Sequence, residues 1–205
     1  MKILKPSQLD EAAKLLNEGK VIAFPTETVY GLGVIFDDEE AYERLVTAKR
    51  RPPEKPFTLM LADVNDVEKY AELNDVSRAL VKEFMPGQFT MITKAKPGLP
   101  KWCVSNIGNI GIRIADYDLI RDLIRKTGKP LLVPSANKSG EKPGTTAQEV
   151  IDSFGDELAA VIDGKTVSNV PSTIVLVGDS HSEVFREGAI KIEEIKKVIS
   201  REKNK

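Results

Sequence analysis

Apolar residues in this chain fall in short runs of strand length, separated by stretches whose apolar positions recur with a helical period. Val21–Phe24, Phe57–Leu61, Phe89–Thr93, Leu131–Val133 and Thr173–Val177 are runs of the first kind, with shorter ones at Val161–Asp163 and Val184–Arg186. Leu9, Ala12, Ala13 and Leu16 form one helical stripe, read as starting at an N-cap Ser7 and ending at Gly19. Ala41, Leu45 and Ala48 form another within Asp38–Lys49, and further helical patterns cover 64–70, 76–84, 119–124, 146–154 and 192–201. Ile110, Ile112 and Ile114 alternate with Gly111 and Arg113, so that strand buries one face and presents a guanidinium on the other. Strands and helices that interleave without strict βαβ alternation predict an α/β (α+β) single domain, a twisted mixed β-sheet flanked by helices.

Composition narrows the chemistry. The 205 residues carry 30 Lys plus Arg against 31 Asp plus Glu, so bulk positive charge does not hold this protein to nucleic acid and any basic site is local. A single cysteine, Cys103, and a single histidine, His181, exclude an internal disulfide, a Cys/His zinc site and any mechanism needing two histidines. His181 lies in Gly178-Asp179-Ser180-His181-Ser182, a polar turn between strands, and Cys103 reads as a buried small hydrophobe. Nowhere do 18 apolar residues run together, and Met1–Pro6 lacks the features of a leader, which predicts a cytoplasmic protein with no membrane partner.

The polar segments are the informative ones. Pro25-Thr26-Glu27-Thr28-Val29-Tyr30-Gly31-Leu32-Gly33 reads as a loop after a buried strand, a junction where α/β proteins hold ligands. Lys49-Arg50-Arg51-Pro52-Pro53 is the densest positive spot. Pro52 disfavours the helical region at Arg51, so an extended chain would turn Lys49 and Arg51 to one side, as a polyphosphate or carboxylate requires. The same residues also suit a helix end whose cations offset the dipole. Ser135 and Asn137 follow Leu131–Val133 and, in an extended chain, present a hydroxyl and an amide on one face; an Asx turn fits them equally. Arg113 and Arg186 are two further cations on or beside strands. No P-loop or dinucleotide fingerprint is present, so a nucleotide would be held by another device.

Taken in order, the Pro25–Gly33 segment, Lys49-x-Arg51-Pro52, Pro86-Gly87 with Phe89-Thr90, Gly111-Ile112-Arg113, Ser135-x-Asn137, Pro171-Ser172-Thr173-Ile174 and Arg186-x-Gly188 resemble the YrdC-like family of threonylcarbamoyl-AMP synthases in its short form. The resemblance covers about 8–193, leaving 194–205 as the end of a C-terminal helix and a charged tail. It implies a YrdC-like fold with a large concave site and a nucleotidyltransferase reaction: L-threonine, bicarbonate or CO2, and ATP give threonylcarbamoyl-AMP and pyrophosphate. That product looks like the donor for threonylcarbamoyladenosine in tRNA, installed by a separate transferase machinery.

Carried over position by position, the family's catalytic residues would be Lys49, Arg51, Ser135 and Asn137, with Thr145 and Arg186 joining them on the ATP side. Thr26, Arg113 and Ser172 would bind threonine. Mg2+ would enter with ATP, with no metal held directly by the protein. Two features depart from the synthase pattern. Met60 stands where many members have a histidine, and Phe57-Thr58-Leu59-Met60 resembles the YciO branch, although Ser135 and Asn137 side with the synthases. The competing readings are an RNA-binding protein with a basic concave face, and a YciO-like paralogue acting on a related nucleotide.

Overall fold

The computed structural model describes residues 1–51, 56–179 and 181–204. Its strands are β1 (Lys2–Leu4), β2 (Ile22–Phe24), β3 (Gly31–Ile35), β4 (Leu59–Met60), β5 (Phe89–Lys94), β6 (Asn109–Arg113), β7 (Leu131–Leu132), β8 (Ala160–Ile162), β9 (Thr173–Val177) and β10 (Ser182–Arg186). They join in one sheet in the order β1-β8-β2-β3-β7-β4-β6-β5-β9-β10. The pairs β1–β8, β2–β8, β4–β6 and β5–β9 are parallel and the others antiparallel, which makes the sheet mixed. The helices are α1 (Leu9–Asn17), α2 (Glu39–Lys49), α3 (Val67–Tyr70), α4 (Asp75–Phe84), α5 (Asp118–Thr127), α6 (Ala147–Phe154) and α7 (Ile192–Lys203). Among the described residues no helix is long and apolar enough to cross a membrane.

Period-two alternation along the strands divides the core in two. Ala23, Leu59, Leu132 and Val161 pack on one side with α2, α4, α6 and α7. Their chain neighbours Ile22, Phe24, Met60, Leu131, Ala160 and Ile162 pack on the other with α1 and α5. On the far strands the pattern continues on the first side only: Phe89, Met91, Ile110, Ile112 and Val175 join the larger core. Thr90, Arg113 and Ile174 point the opposite way, onto a part of the sheet that α1 and α5 do not cover. That uncovered half-face is the floor of the site.

Four local expectations need correction. Gln8, not Ser7, is the N-cap of α1, and its side-chain oxygen accepts instead from the Lys5 amide at 2.8 Å. Gly31–Gly33 begin a strand rather than end a loop. A Cβ on Gly33 would lie 2.5 Å from the Phe24 ring, so the close approach of β2 and β3 demands the glycine that made this segment read as a turn. The C-terminal tail stays helical to Lys203. Lys49 and Arg51 are not set by an extended chain: Lys49 is the last residue of α2, and Arg50 takes a left-handed conformation (φ 49°) that redirects the backbone before Arg51. Pro52 and Pro53 of that motif, Ser180 of the polar turn and Lys205 of the tail lie outside the described residues.

Candidate active site

A cavity of about 420 Å³ opens over the uncovered half-face. Arg51, Arg113 and Arg186 all line it, together with Thr26, Ser135, Asn137 and Ser172. Of the nine residues singled out from the sequence, seven therefore meet in one hollow. The other two are Lys49 and Thr145.

Lys49 lies beneath the hollow, 2% exposed, and its ammonium donates to the Ser135 carbonyl at 2.7 Å, the Asn137 carbonyl at 2.5 Å and Asn137 Oδ1 at 3.2 Å. Three acceptors use all three N–H bonds of an ammonium. Burial, and secondly the nearby Arg51 charge, pulls Lys49 down to about 8. Above it, Ser135 Oγ donates to Asn137 Oδ1 at 2.6 Å, and Asn137 Nδ2 donates to the Lys138 and Glu141 carbonyls, each at 2.9 Å. The two side chains thus line the cavity together; the Asx turn does not form, because Asn137 Oδ1 accepts from Ser135 Oγ and Lys49 while the Ser139 amide donates to the Lys49 carbonyl. Arg51 sits with its guanidinium 5.2 Å from the centre of the Phe57 ring, and burial lowers its pKa from the ordinary arginine value.

Thr145 is not among the residues lining the cavity. It stands just before α6, where its amide and hydroxyl donate to Glu149 at 2.7 and 3.1 Å. The resemblance assigned this hydroxyl to ATP; here it donates to Glu149.

On the opposite wall, Arg186 turns back along its own edge of the sheet and donates to the Ser172 carbonyl from both Nε (3.2 Å) and Nη2 (2.8 Å). Burial, and secondly Arg113, lowers its pKa. Ser172 Oγ pairs with Thr90 Oγ1 at 2.8 Å. Gly188 permits this fold-back, because a Cβ there would collide with the Pro171 carbonyl and the Ser172 backbone. Arg113 is held from the Pro25–Gly33 segment: its Nη2 donates to Glu27 Oε1 at 2.8 Å and to Thr28 Oγ1 at 2.9 Å. Thr26 Oγ1 donates to the Val29 carbonyl at 2.7 Å and lies 2.9 Å from Thr28 Oγ1, so it shapes the loop it belongs to. Met60 lies in register with Arg113 on the neighbouring strand and places a thioether on the cavity floor beside it.

Glu27, Thr28, Thr90 and Glu141 were not singled out from the sequence, although the first three lie in segments that were. Only the register of distant segments shows that Glu27 faces Arg113, 86 residues away. His181 is exposed and Cys103 is buried, where desolvation, with a smaller contribution from Asp37, pushes the thiol up to about 12.

The fold and the site define a mixed-sheet α/β protein whose polar cavity, lined by three arginines, is walled by loops from both ends of the chain. A profile of the Sua5/YciO/YrdC family, described as "Telomere recombination", matches residues 14–188, and the chain belongs to that family. It is 36% identical over 195 residues to the threonylcarbamoyl-AMP synthase of Bacillus subtilis (strain 168), a match that covers 94% of this chain and 56% of that protein. The chain thus spans little more than half the length of that relative. Among solved structures, P. abyssi Sua5 complexed with L-threonine matches with a TM-score of 0.92 and 32% identity, over 97% of this chain and 61% of that one. E. coli YciO matches with a TM-score of 0.87 at 24% identity, covering 95% of this chain and 98% of that one, which shows the shared fold.

Proposed function

We propose that this chain is a nucleotidyltransferase that makes threonylcarbamoyl-AMP from L-threonine, bicarbonate-derived CO2 and ATP, releasing pyrophosphate. The observation that carries the reading is the meeting of Arg51, Arg113 and Arg186 in one cavity with the Ser135–Asn137 pair. A triphosphate and an amino-acid carboxylate bring several negative charges, and fixed guanidinium groups suit both. The names of the relatives, and the threonine bound by one of them, point the same way.

The chemistry follows from the placement. The neutral amine of threonine attacks CO2, and loss of one proton leaves a carbamate. A carbamate oxygen then attacks the α-phosphorus of ATP, the bond from that phosphorus to the bridging oxygen breaks, and pyrophosphate departs with the electron pair. Charge grows on the transferring phosphoryl group and the leaving pyrophosphate, so Arg51, backed by the Lys49-anchored Ser135–Asn137 turn, and Arg186 supply preorganised stabilisation. Arg113, with Thr26 and Ser172 nearby, takes the amino-acid carboxylate. No histidine is needed for these steps.

Among the described residues no cluster of His, Cys, Asp and Glu is placed to hold a metal ion, and Glu141 is the carboxylate at the cavity wall. Mg2+ would enter on the triphosphate, where it would supply charge neutralisation. The product would pass to the transferase machinery that modifies tRNA, in the cytoplasm. The test is incubation of the protein with ATP, bicarbonate and a panel of amino acids, with mass detection of acyl adenylates. Threonylcarbamoyl-AMP forming only when all three substrates are present supports the reading; no adenylate from any amino acid, with retention of RNA, would replace it with the RNA-binding alternative.

A further inference from the structure

Glu27 has no part in the reaction as derived, yet it is a buried acid held from several sides. It is 5% exposed, and its carboxylate holds Arg113 Nη2 at 2.8 Å and the Asp116 amide at 3.3 Å, both through Oε1. Its backbone carbonyl accepts from Ser168 N at 3.1 Å and from Gln88 Nε2 at 3.2 Å, so three separate segments converge on it. The contact with Arg113 is single-pointed. Among the described residues, Glu27 Oε2 and Arg113 Nε are both buried without a hydrogen-bond partner, although a side-on fork would have used both. Leaving two polar atoms unpaired in a buried ion pair is costly and points to a geometry held for another purpose.

End-on contact consumes Nη2, shared with Thr28 Oγ1, and no described residue accepts from Nη1 of a guanidinium that lines the cavity. It also cancels the Arg113 charge within the buried wall. By contrast, Arg186, on the same cavity, rests on the neutral Ser172 carbonyl. The amino-acid end is therefore a hydrogen-bonding fork with little net charge, which a singly charged carboxylate can use and a doubly charged phosphate gains little from.

We propose that Glu27 is a positioning and charge-compensating residue that aims Arg113 into the cavity and reserves its end for an amino-acid carboxylate, leaving phosphate groups to Arg51 and Arg186. This rests on the assignment of Arg113 to threonine. In one assay, threonine binding to the full chain is measured by calorimetry against rising inorganic phosphate, for the wild type and Glu27→Gln, whose amide oxygen still accepts from Nη2. In the wild type, phosphate displaces a non-hydrolysable ATP analogue but leaves threonine bound. In Glu27→Gln, phosphate displaces threonine at an about tenfold lower concentration, and KM for threonine shifts while KM for ATP stays within about twofold. Phosphate sensitivity of threonine binding that is the same in both proteins, or KM values that move together, overturns the proposal. If Glu27→Gln does not fold, the wild type decides alone: phosphate competing directly with threonine overturns it. A wild type that binds threonine selectively but makes no adenylate would remove the synthase reading and leave Glu27 in place.

Discussion

Lys49 Nζ reaches the Asn137 carbonyl at 2.5 Å and Asn137 Oδ1 at 3.2 Å, so a buried ammonium at the end of α2 holds a turn 88 residues further along the chain. The family's two most polar motifs, Lys-x-Arg and Ser-x-Asn, are thus one physical unit, with the lysine as its underside. Replacing Lys49 by Met leaves the buried Asn137 carbonyl without a donor, while the Ser135 carbonyl keeps the Asn137 amide and Asn137 Oδ1 keeps Ser135 Oγ, a loss of about 1–3 kcal/mol in stability partly offset by removal of a buried charge. Catalysis falls far more than stability does, because the turn beside Arg51 is released. Denaturant unfolding and pyrophosphate release on the same preparation separate the two effects.

The same lysine gives a pH signature of two opposite signs. Its folded pKa of about 8 lies below the ordinary 10.5, so between those values the unfolded chain binds more protons than the native one. The Lys49 contribution to stability therefore rises with pH across that window and is flat on either side. Activity runs the other way, since above about 8 the amine loses one of the three N–H bonds that fix the turn. A pH–rate profile falling through this range, absent from the residual activity of Lys49→Met, is the expected result.

Arg51→Ala removes a guanidinium that lines the cavity over the Phe57 ring. On the proposed reaction, loss of this preorganised charge costs roughly 10²–10³-fold in turnover, with the circular dichroism spectrum unchanged. Near-normal pyrophosphate release by this variant would remove Arg51 from the site.

Gly188→Ala drives a Cβ into the Pro171 carbonyl and the Ser172 backbone. The segment has to shift, at about 1–3 kcal/mol, and with it move Ser172 and the guanidinium of Arg186 that rests on its carbonyl. The expected outcome is a lowered melting temperature together with raised KM for both threonine and ATP. Cys103 offers a simpler check: with its thiol held up to about 12 by burial, it should resist alkylation at neutral pH until the protein unfolds.

Much of this was legible in the sequence where a local signal and a buried face coincide. Thr173–Val177 was read with the bounds the strand has, because its short apolar run coincides with the core that Val175 and Val177 join. Lys2–Leu4 gave no such signal: its two apolar residues form a short parallel strand only because Ala160–Ile162 lies beside it. Gly31 and Gly33 misled for a physical reason, since the side chains that exclude a Cβ there, Val133 at Gly31 and Phe24 at Gly33, come from other segments of the chain. Residue types at the site were readable, but their roles were not. The sequence places Lys49 and Arg51 two positions apart, and only the left-handed turn at Arg50 sends one under the cavity and the other into it. The contact of the Thr145 hydroxyl with Glu149, one helical turn on, was likewise not legible in the sequence.

The central claim is that one hollow accommodates a triphosphate and an amino-acid carboxylate together, and a crystal structure with a non-hydrolysable ATP analogue and L-threonine tests it most directly. The account predicts phosphate oxygens against Arg51, Arg186 and the Ser135–Asn137 turn, with the threonine carboxylate on Arg113 and its amine facing the α-phosphorus. Nucleotide bound away from Arg51, or threonine bound away from Arg113, would contradict it.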